Sequence, residues 1–300
     1  MKLSVLLKIA SFCLGAVVAV GGIGYGVAIV QRPSRDNLRL PLFAGIDYER
    51  TLHAKPRMFV KHVVTVDLAI AGVDVFVTPG TEPQPFHNRE FMAQTTSAAL
   101  ERYQLQLAVN GSFFYPFRAL HPWDFYPHSG DPVGALGQVI SNDVSYSPAQ
   151  TGWAVLCMAK PLSATIASER CPSGTQHAIT GRELLLQSGQ TLRSDDDDSD
   201  RLYPRTAVAL SADEMKLWLI VIDGRQPFYS RGVTLTELSE IVLELGANTA
   251  LNLDGGGSAT LAIASAGKTR VLNSPIHTSV PTRQRPIANH LGFYARPLAP

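Results

Sequence analysis

The stretch "TALNLDGGGSATLAI", residues 249–263, carries an apolar run into Asp254, then Gly255, Gly256, Gly257 and Ser258, and then returns to apolar residues. Consecutive glycines let a ligand approach the main chain closely. A concave nest of their N–H groups suits an anion. A tight turn needs one glycine, occasionally two, so three beside a carboxylate point to a site. Side chains alternate along a strand, which puts Asn252 and Asp254 on one face. No lysine follows the glycines, unlike a nucleotide P-loop. The residues beyond read as a strand, not as the helix of a dinucleotide fold.

Other polar groups interrupt apolar strands in the same way. Asn110 ends "LQLAVN" in "NGSFF". Arg205 and Thr206 open "PRTAVAL", and Asp223 and Arg225 close "IVIDGR". Taken singly, "NG" and "DG" are ordinary turn signals. Glu237 and Ser258 have plain readings as a helix cap and a turn residue.

The elements that must position these groups are mostly strands. "FVKHVVTVDL" and "VDVFVTP", separated by "AIAG", read as a hairpin, and "TAVALSADEMKLWLIVIDG" reads as another. Residues 88–103 have helical spacing, and "QLQLAVN" alternates as a strand. Residues 111–148, rich in aromatics, Pro and Gly, read as long loops. "GWAVLCMA", "ELLLQSGQTL" and "TALNLD" read as strands. "GVTLTELSEIVLELGAN" is the clearest helix. Thr234 and Glu237 make a capping box, an apolar stripe runs from Leu235 to Leu245, and Gly246 is placed to end it. The acidic run "DDDDSD" (195–200) lacks the alternation of a calcium loop and reads as a solvated loop. The pattern predicts an α+β fold, a mixed, mainly antiparallel sheet with a few helices.

Composition limits the function classes. The chain has 300 residues with 26 basic against 25 acidic and a net charge of +1, so nothing favours nucleic-acid binding. Ile9–Val30 holds 22 residues without a charge, enough for a membrane-spanning helix. That length favours an uncleaved anchor over a signal peptide, although "VVA" ending at Ala19 would suit cleavage. Basic residues flank the segment on both sides, so orientation stays open. Residues 1–30 are thus an anchor or signal segment, 31–56 a linker, and 57–300 one domain. Cys157 and Cys171, the two cysteines beyond the segment, suit a disulfide in an oxidising compartment. Anchor and cysteine pair together favour a location in the cell envelope, outside the cytoplasm.

The segments "NGSFF", "PRTAVAL", "VIDGR", "GVTLTELSEIVLELGA", "LNLDGGGSATL" and "VLNSP…RQRPIANHLGF" occur in this order. In this the chain resembles the phosphodiester glycosidase family over residues 57–296. Ala259 stands where that family often has Ser. Members include a lysosomal enzyme that removes N-acetylglucosamine from a phosphodiester. They also include bacterial envelope proteins, some linked to exopolysaccharide. The resemblance implies hydrolysis at a sugar anomeric carbon with a phosphate ester leaving. Ordinary glycosidases need a carboxylic acid to protonate a poor leaving group. A phosphodiester already leaves as a stable anion, so the site needs an anion clamp more than a general acid.

On that reading Asp254 is the nucleophile or base and Asp223 the second carboxylate. Arg205, Arg225 and the Gly255–Gly257 loop form the clamp. Asn110 and Asn252 bond sugar hydroxyls, with Thr206 and Ser258 beside them. No His/Cys cluster has zinc-ligand spacing, and no cofactor is expected. A divalent cation at Asp254 stays open. The partners expected are a carbohydrate phosphodiester and, through residues 9–30, a membrane. Two other readings fit the same residues: a non-catalytic module that binds an anionic glycan, and an accessory part of a polysaccharide export complex.

Overall fold

The computed structural model describes residues 22, 24–81, 89–192 and 201–298. Most of the expected anchor and the acidic run 195–200 lie outside these. No helix among the described residues is long and apolar enough to cross a membrane.

An eight-stranded sheet forms the centre. Its order is Leu38–Phe43, Ile46–His53, Phe59–Asp67, Lys216–Ile222, Arg205–Leu210, Thr249–Asn252, Leu184–Gln187 and Gln190–Thr191. Neighbours are antiparallel throughout. Strict alternation gives the sheet two apolar faces. Ala207, Ala209, Ile220 and Ile222 face the helix Leu235–Glu244, which buries Leu235, Leu238, Ile241 and Val242 against them. The capping box forms between Thr234 and Glu237, and Gly246 takes the left-handed conformation after the helix, with φ 81°.

Val208, Leu210, Leu219 and Val221 face the other way, onto a second sheet. That sheet has the order Lys268–Val271, Leu261–Ser265, Leu107–Asn110, His290–Tyr294 and Asp74–Val77. Leu107, Val109, Leu261, Leu291 and Phe293 supply its half of the main core. Its outer face buries Phe76, Ala108 and Ala262 against Leu100 of the helix Thr96–Arg102. The layers therefore run helix, sheet, sheet, helix. Truncating Leu219 or Phe293 to Ala, both fully buried, would cost about 3–5 kcal/mol. A third, five-stranded sheet holds Cys157 on its strand Val155–Ala159, bonded to Cys171.

Four expectations need correction. Residues 31–56 are not all linker, because "LRLPLF" and "IDYERTLH" form the first two strands of the long sheet. Pro41 and the charged residues masked an alternation that buries Ile46, Tyr48 and Arg50. The segments around "AIAG" are strands but not a hairpin. Phe59–Asp67 pairs in the long sheet, and Asp74–Val77 pairs with His290–Tyr294 in the second. Alternation identifies a strand without naming its partner. The helix of 88–103 shrinks to Thr96–Arg102, capped by Thr95, because Phe91–Met92 is drawn into a ladder with Pro132 and Val133. Residues 111–148 contain six short strands from Phe114–Tyr115 to Val144–Ser147, each too short for periodicity to show.

Candidate active site

The site lies where strand ends of the long sheet meet the second sheet. Ala207 pairs with Asn252, and Leu253 N donates to Thr206 O at 2.9 Å. That register sets Arg205 opposite Asp254. Both line a cavity of ≈ 470 Å³, together with Asn252, Gly255, Gly256, Arg225 and Arg285. Phe113, Phe117, Ala119 and Ile276 give it an apolar side, and Tyr203 and Ser279 also reach it.

The three glycines answer three different demands. Gly256 has φ 60°, a conformation that costs a side chain energy, and its N–H donates to Pro204 O at 2.8 Å. A Cβ on Gly255 would stand 2.7 Å from that same Pro204 carbonyl. One on Gly257 would stand 2.6 Å from the Arg285 guanidinium. The anion nest read from the sequence is thus largely occupied. The Gly256 N–H is taken, Ser258 N bonds Gly255 O at 3.1 Å, and the Gly255 N–H serves the Asp254 carboxylate. The arginine side chains Arg205, Arg225 and Arg285 line the cavity beside it.

Burial pushes the Asp254 carboxyl up to about 6. Arg285, the Ser258 hydroxyl, the Gly255 N–H and Arg225 each pull against that rise. The carboxylate therefore ionises near neutral pH inside a cage of donors. Arg285 is itself 8 % exposed and loses basicity through desolvation, to about 10. Its Nη1 donates to Ser258 Oγ at 3.0 Å and its Nε to His277 Nδ1 at 3.3 Å. Burial and the neighbouring arginines hold His277 neutral, with a pKa lowered to about 3, and the bond to Nδ1 leaves the ring proton on Nε2. The ring of Phe117 covers the Arg285 guanidinium at 4.2 Å.

Arg225 comes from the opposite side, on a residue with φ 56°. A left-handed non-glycine residue costs about 1–3 kcal/mol and is held by its surroundings. Here Arg225 N bonds Arg231 O at 3.3 Å, and Gln226 N bonds Ser230 O at 2.9 Å. The Arg225 guanidinium stacks 4.2 Å from the Tyr203 ring centroid, and its hydrogen bond lowers the Tyr203 pKa. Arg205 is steadied by Val233 O and Arg201 O, at 3.3 and 2.9 Å.

The other sequence candidates sit elsewhere. Asn110 is fully buried and does not line the cavity. Its Nδ2 donates to the Asp254 carbonyl at 2.5 Å, and its Oδ1 accepts from Thr206 Oγ1 and Thr260 N at 2.9 and 3.1 Å. Asn110 and Thr206 therefore hold the loop and do not face the cavity. Asp223 is also outside the cavity. It accepts from Ser274 N and Asn273 Nδ2 at 2.8 and 3.1 Å and pairs with His62 Nε2 at 3.1 Å. His62 Nδ1 bonds Tyr48 Oη at 2.8 Å. This buried chain ties the long sheet to the segment after Lys268–Val271. Ser258 is buried behind the loop, bridging Arg285 and Asp254. Asn252 does face the cavity. Its Nδ2 donates to Glu183 Oε2 at 2.8 Å, and its Oδ1 has no partner among the described residues.

The sequence reading missed Arg285, Tyr203, Phe117 and Glu183. Arg285 stood within the segment "RQRPIANHLGF", but no spacing rule ties it to Asp254, 31 positions earlier. Among the described residues, no group of three His, Cys, Asp or Glu is placed to hold a metal ion.

Known structures share this architecture. A zebrafish N-acetylglucosamine-1-phosphodiester alpha-N-acetylglucosaminidase catalytic domain, auto-inhibited by its pro-peptide, superposes with TM-score 0.62 at 20% identity, covering 89% of this chain and 87% of that one. A hypothetical protein from Synechocystis gives 0.59 at 16%, covering 88% and 64%. A putative exported protein from Burkholderia pseudomallei K96243 gives 0.55 at 16%, covering 81% and 75%. No curated protein matched the chain. The phosphodiester glycosidase family model matches residues 103–294, which include Asn110, Arg205, Arg225, Asp254 and Arg285, and the chain belongs to that family.

Proposed function

We propose that the protein hydrolyses a sugar from a glycosyl phosphodiester, with Asp254 as the nucleophile or base at the anomeric carbon. One observation carries this reading. Among the described residues, three arginines, Arg205, Arg225 and Arg285, and one carboxylate, Asp254, line the cavity. Burial lowers the pKa of Arg285, Asp254 opposes that, and Arg225 adds to it by repulsion, so an anion bound between the two arginines would favour their charged forms. A phosphodiester supplies that anion and leaves as a phosphate monoester, which needs no proton from a second carboxylate. The burial of Asp223 away from the cavity is consistent with such a reaction.

Asn252 lines the cavity and is the candidate to bond a sugar hydroxyl or acetamido group. The zebrafish enzyme's name makes N-acetylglucosamine 1-(methyl phosphate) the first probe. The disulfide suits an oxidising compartment and supports a place outside the cytoplasm. The test uses the full chain and a panel of sugar 1-(methyl phosphate) diesters. Release of reducing sugar from at least one supports the reading. Saturable binding without product would make the chain a glycan-binding module instead.

A further inference from the structure

Resting on that function, we infer that the substrate is lipid-linked: a sugar 1-phosphate esterified to a long-chain alcohol and held at a membrane surface. Apolar residues of one hairpin lie both at the anion clamp and at the outside of the molecule. Phe117 stands at its start, with its ring over Arg285. Ala119 follows in the cavity wall, on the strand that leads to the tip of the hairpin Arg118–His121/Asp124–Tyr126. At that tip Leu120 and Trp123 are 65% and 80% exposed. The hairpin is held to the site, because Arg283 Nη1 donates to Pro122 O at 2.7 Å and its guanidinium lies over Phe125 at 4.5 Å. A group esterified to a phosphate at Arg285 would leave the clamp beside Phe117 and Ala119 and reach a tip where Leu120 and Trp123 stand beside His121 and the Arg118–Asp124 ion pair. Exposed Leu and Trp on a turn are what a bilayer interface accepts and water does not.

A second observation concerns residues 32–35, just after the apolar N-terminal segment. The chain leaving residues 24–30 docks on the turn that carries Arg225. Arg32 and Arg35 lie 5.3 and 5.8 Å from the Tyr229 ring, Tyr229 Oη donates to Pro33 O at 3.0 Å, and Arg35 Nη1 donates to Phe228 O at 3.2 Å. Phe228 at the end of this turn is 92% exposed. An anchor at Ile9–Val30 would thus deliver the cavity to the surface where a lipid-linked substrate lies. In the reaction the anomeric C–O bond breaks and the lipid monophosphate leaves with the electron pair. The oxygen from water stays on the sugar.

The test compares decyl and methyl phosphodiesters of the sugar that the panel identifies, using the full chain in phosphatidylglycerol/phosphatidylcholine vesicles. The decyl diester is expected to have a kcat/KM at least about tenfold higher, the effect of burying roughly two methylene groups. Leu120→Ser/Trp123→Ser should bring that ratio close to one. In vesicles with brominated acyl chains, the wild type should show tryptophan quenching that Trp123→Phe loses. Equal rates for the two diesters, with hydrolysis of both, overturn the lipid proposal and leave the proposed function standing. Equal loss on both diesters in the double variant also overturns it, by making the tip a general cover. A panel without turnover from any diester overturns both.

Discussion

Arg285 donates its Nη1 hydrogen to the Ser258 hydroxyl across 3.0 Å, and that hydroxyl bonds the carboxylate of Asp254. Ser258 therefore lets the arginine sense the charge on Asp254 without a direct ion pair. A direct pair would lock the carboxylate away from substrate. The relay keeps it ionisable and still facing the cavity.

Asp254→Asn keeps the shape of the loop and removes the charge. Turnover of a glycosyl phosphodiester should fall at least about 10³-fold, or roughly 4 kcal/mol of transition-state stabilisation. Binding of the unreacted diester should change little, because the arginines remain. A variant that retains wild-type turnover would show that chemistry occurs elsewhere.

The pH profile follows from the same group. Asp254 acts as a carboxylate, so kcat/KM should rise with pH through about 6 and level off above it. Stability should move the other way. A carboxyl whose folded pKa is raised contributes stability that is fully present below its ordinary value and lost as pH climbs through about 6. Asp254→Asn should therefore be more stable than the wild type at pH 7.5, by something on the order of 1–3 kcal/mol. Urea denaturation at pH 5 and pH 7.5 measures both slopes.

Ser258→Ala removes a hydrogen bond that favours the ionised carboxylate. The acid limb of kcat/KM should shift upward, by about one pH unit. A Ser258 that merely fills space would leave the limb where it is, with only the plateau lowered.

Asp223→Asn separates a buried tie from a catalytic group. The amide would lose the carboxylate's charge from its bonds with His62 Nε2, Asn273 Nδ2 and Ser274 N. Stability should drop by about 3 kcal/mol. The acid limb should stay near the Asp254 value. Loss of that limb in a variant folded as well as the wild type would return Asp223 to the chemistry.

Cys157 on the third sheet and Cys171 in the loop after Ser163–Ala167 are 14 positions apart, and neither lines the cavity. Replacing both with serine should lower stability by about 2–4 kcal/mol and leave KM unchanged. Calorimetry alongside kinetics separates the two effects.

What could be read from residues alone divides along a physical line. The helix Leu235–Glu244 was legible to its capping box because its signals are local. So were the hairpin of Arg205–Leu210 with Lys216–Ile222 and the loop at Asp254. The partners of Phe59–Asp67 and Asp74–Val77 were not, since nothing within nine residues says that the chain crosses from one sheet to the other there. Within the site, Asn110 and Asp223 looked like Asp254 because each is a polar residue ending an apolar strand. Only their partners distinguish them, and those lie on distant segments. Arg285 stayed hidden for the same reason. Its task depends on Ser258, Phe117 and His277, none of them near it in the local pattern.

That arrangement of Arg285 also bears on when the cavity is complete. The cavity wall draws on Phe113, Arg205, Arg225, Asp254 and Arg285, which span more than half of the chain. Arg285 is contributed late, by the segment that leads into the final strand of the second sheet. A ribosome-bound chain that stops short of it would already own the carboxylate and two of the arginines. It would lack the cation that, through Ser258, draws Asp254 toward ionisation. The three-arginine wall of the cavity is therefore complete only once contacts between segments far apart in the chain have formed.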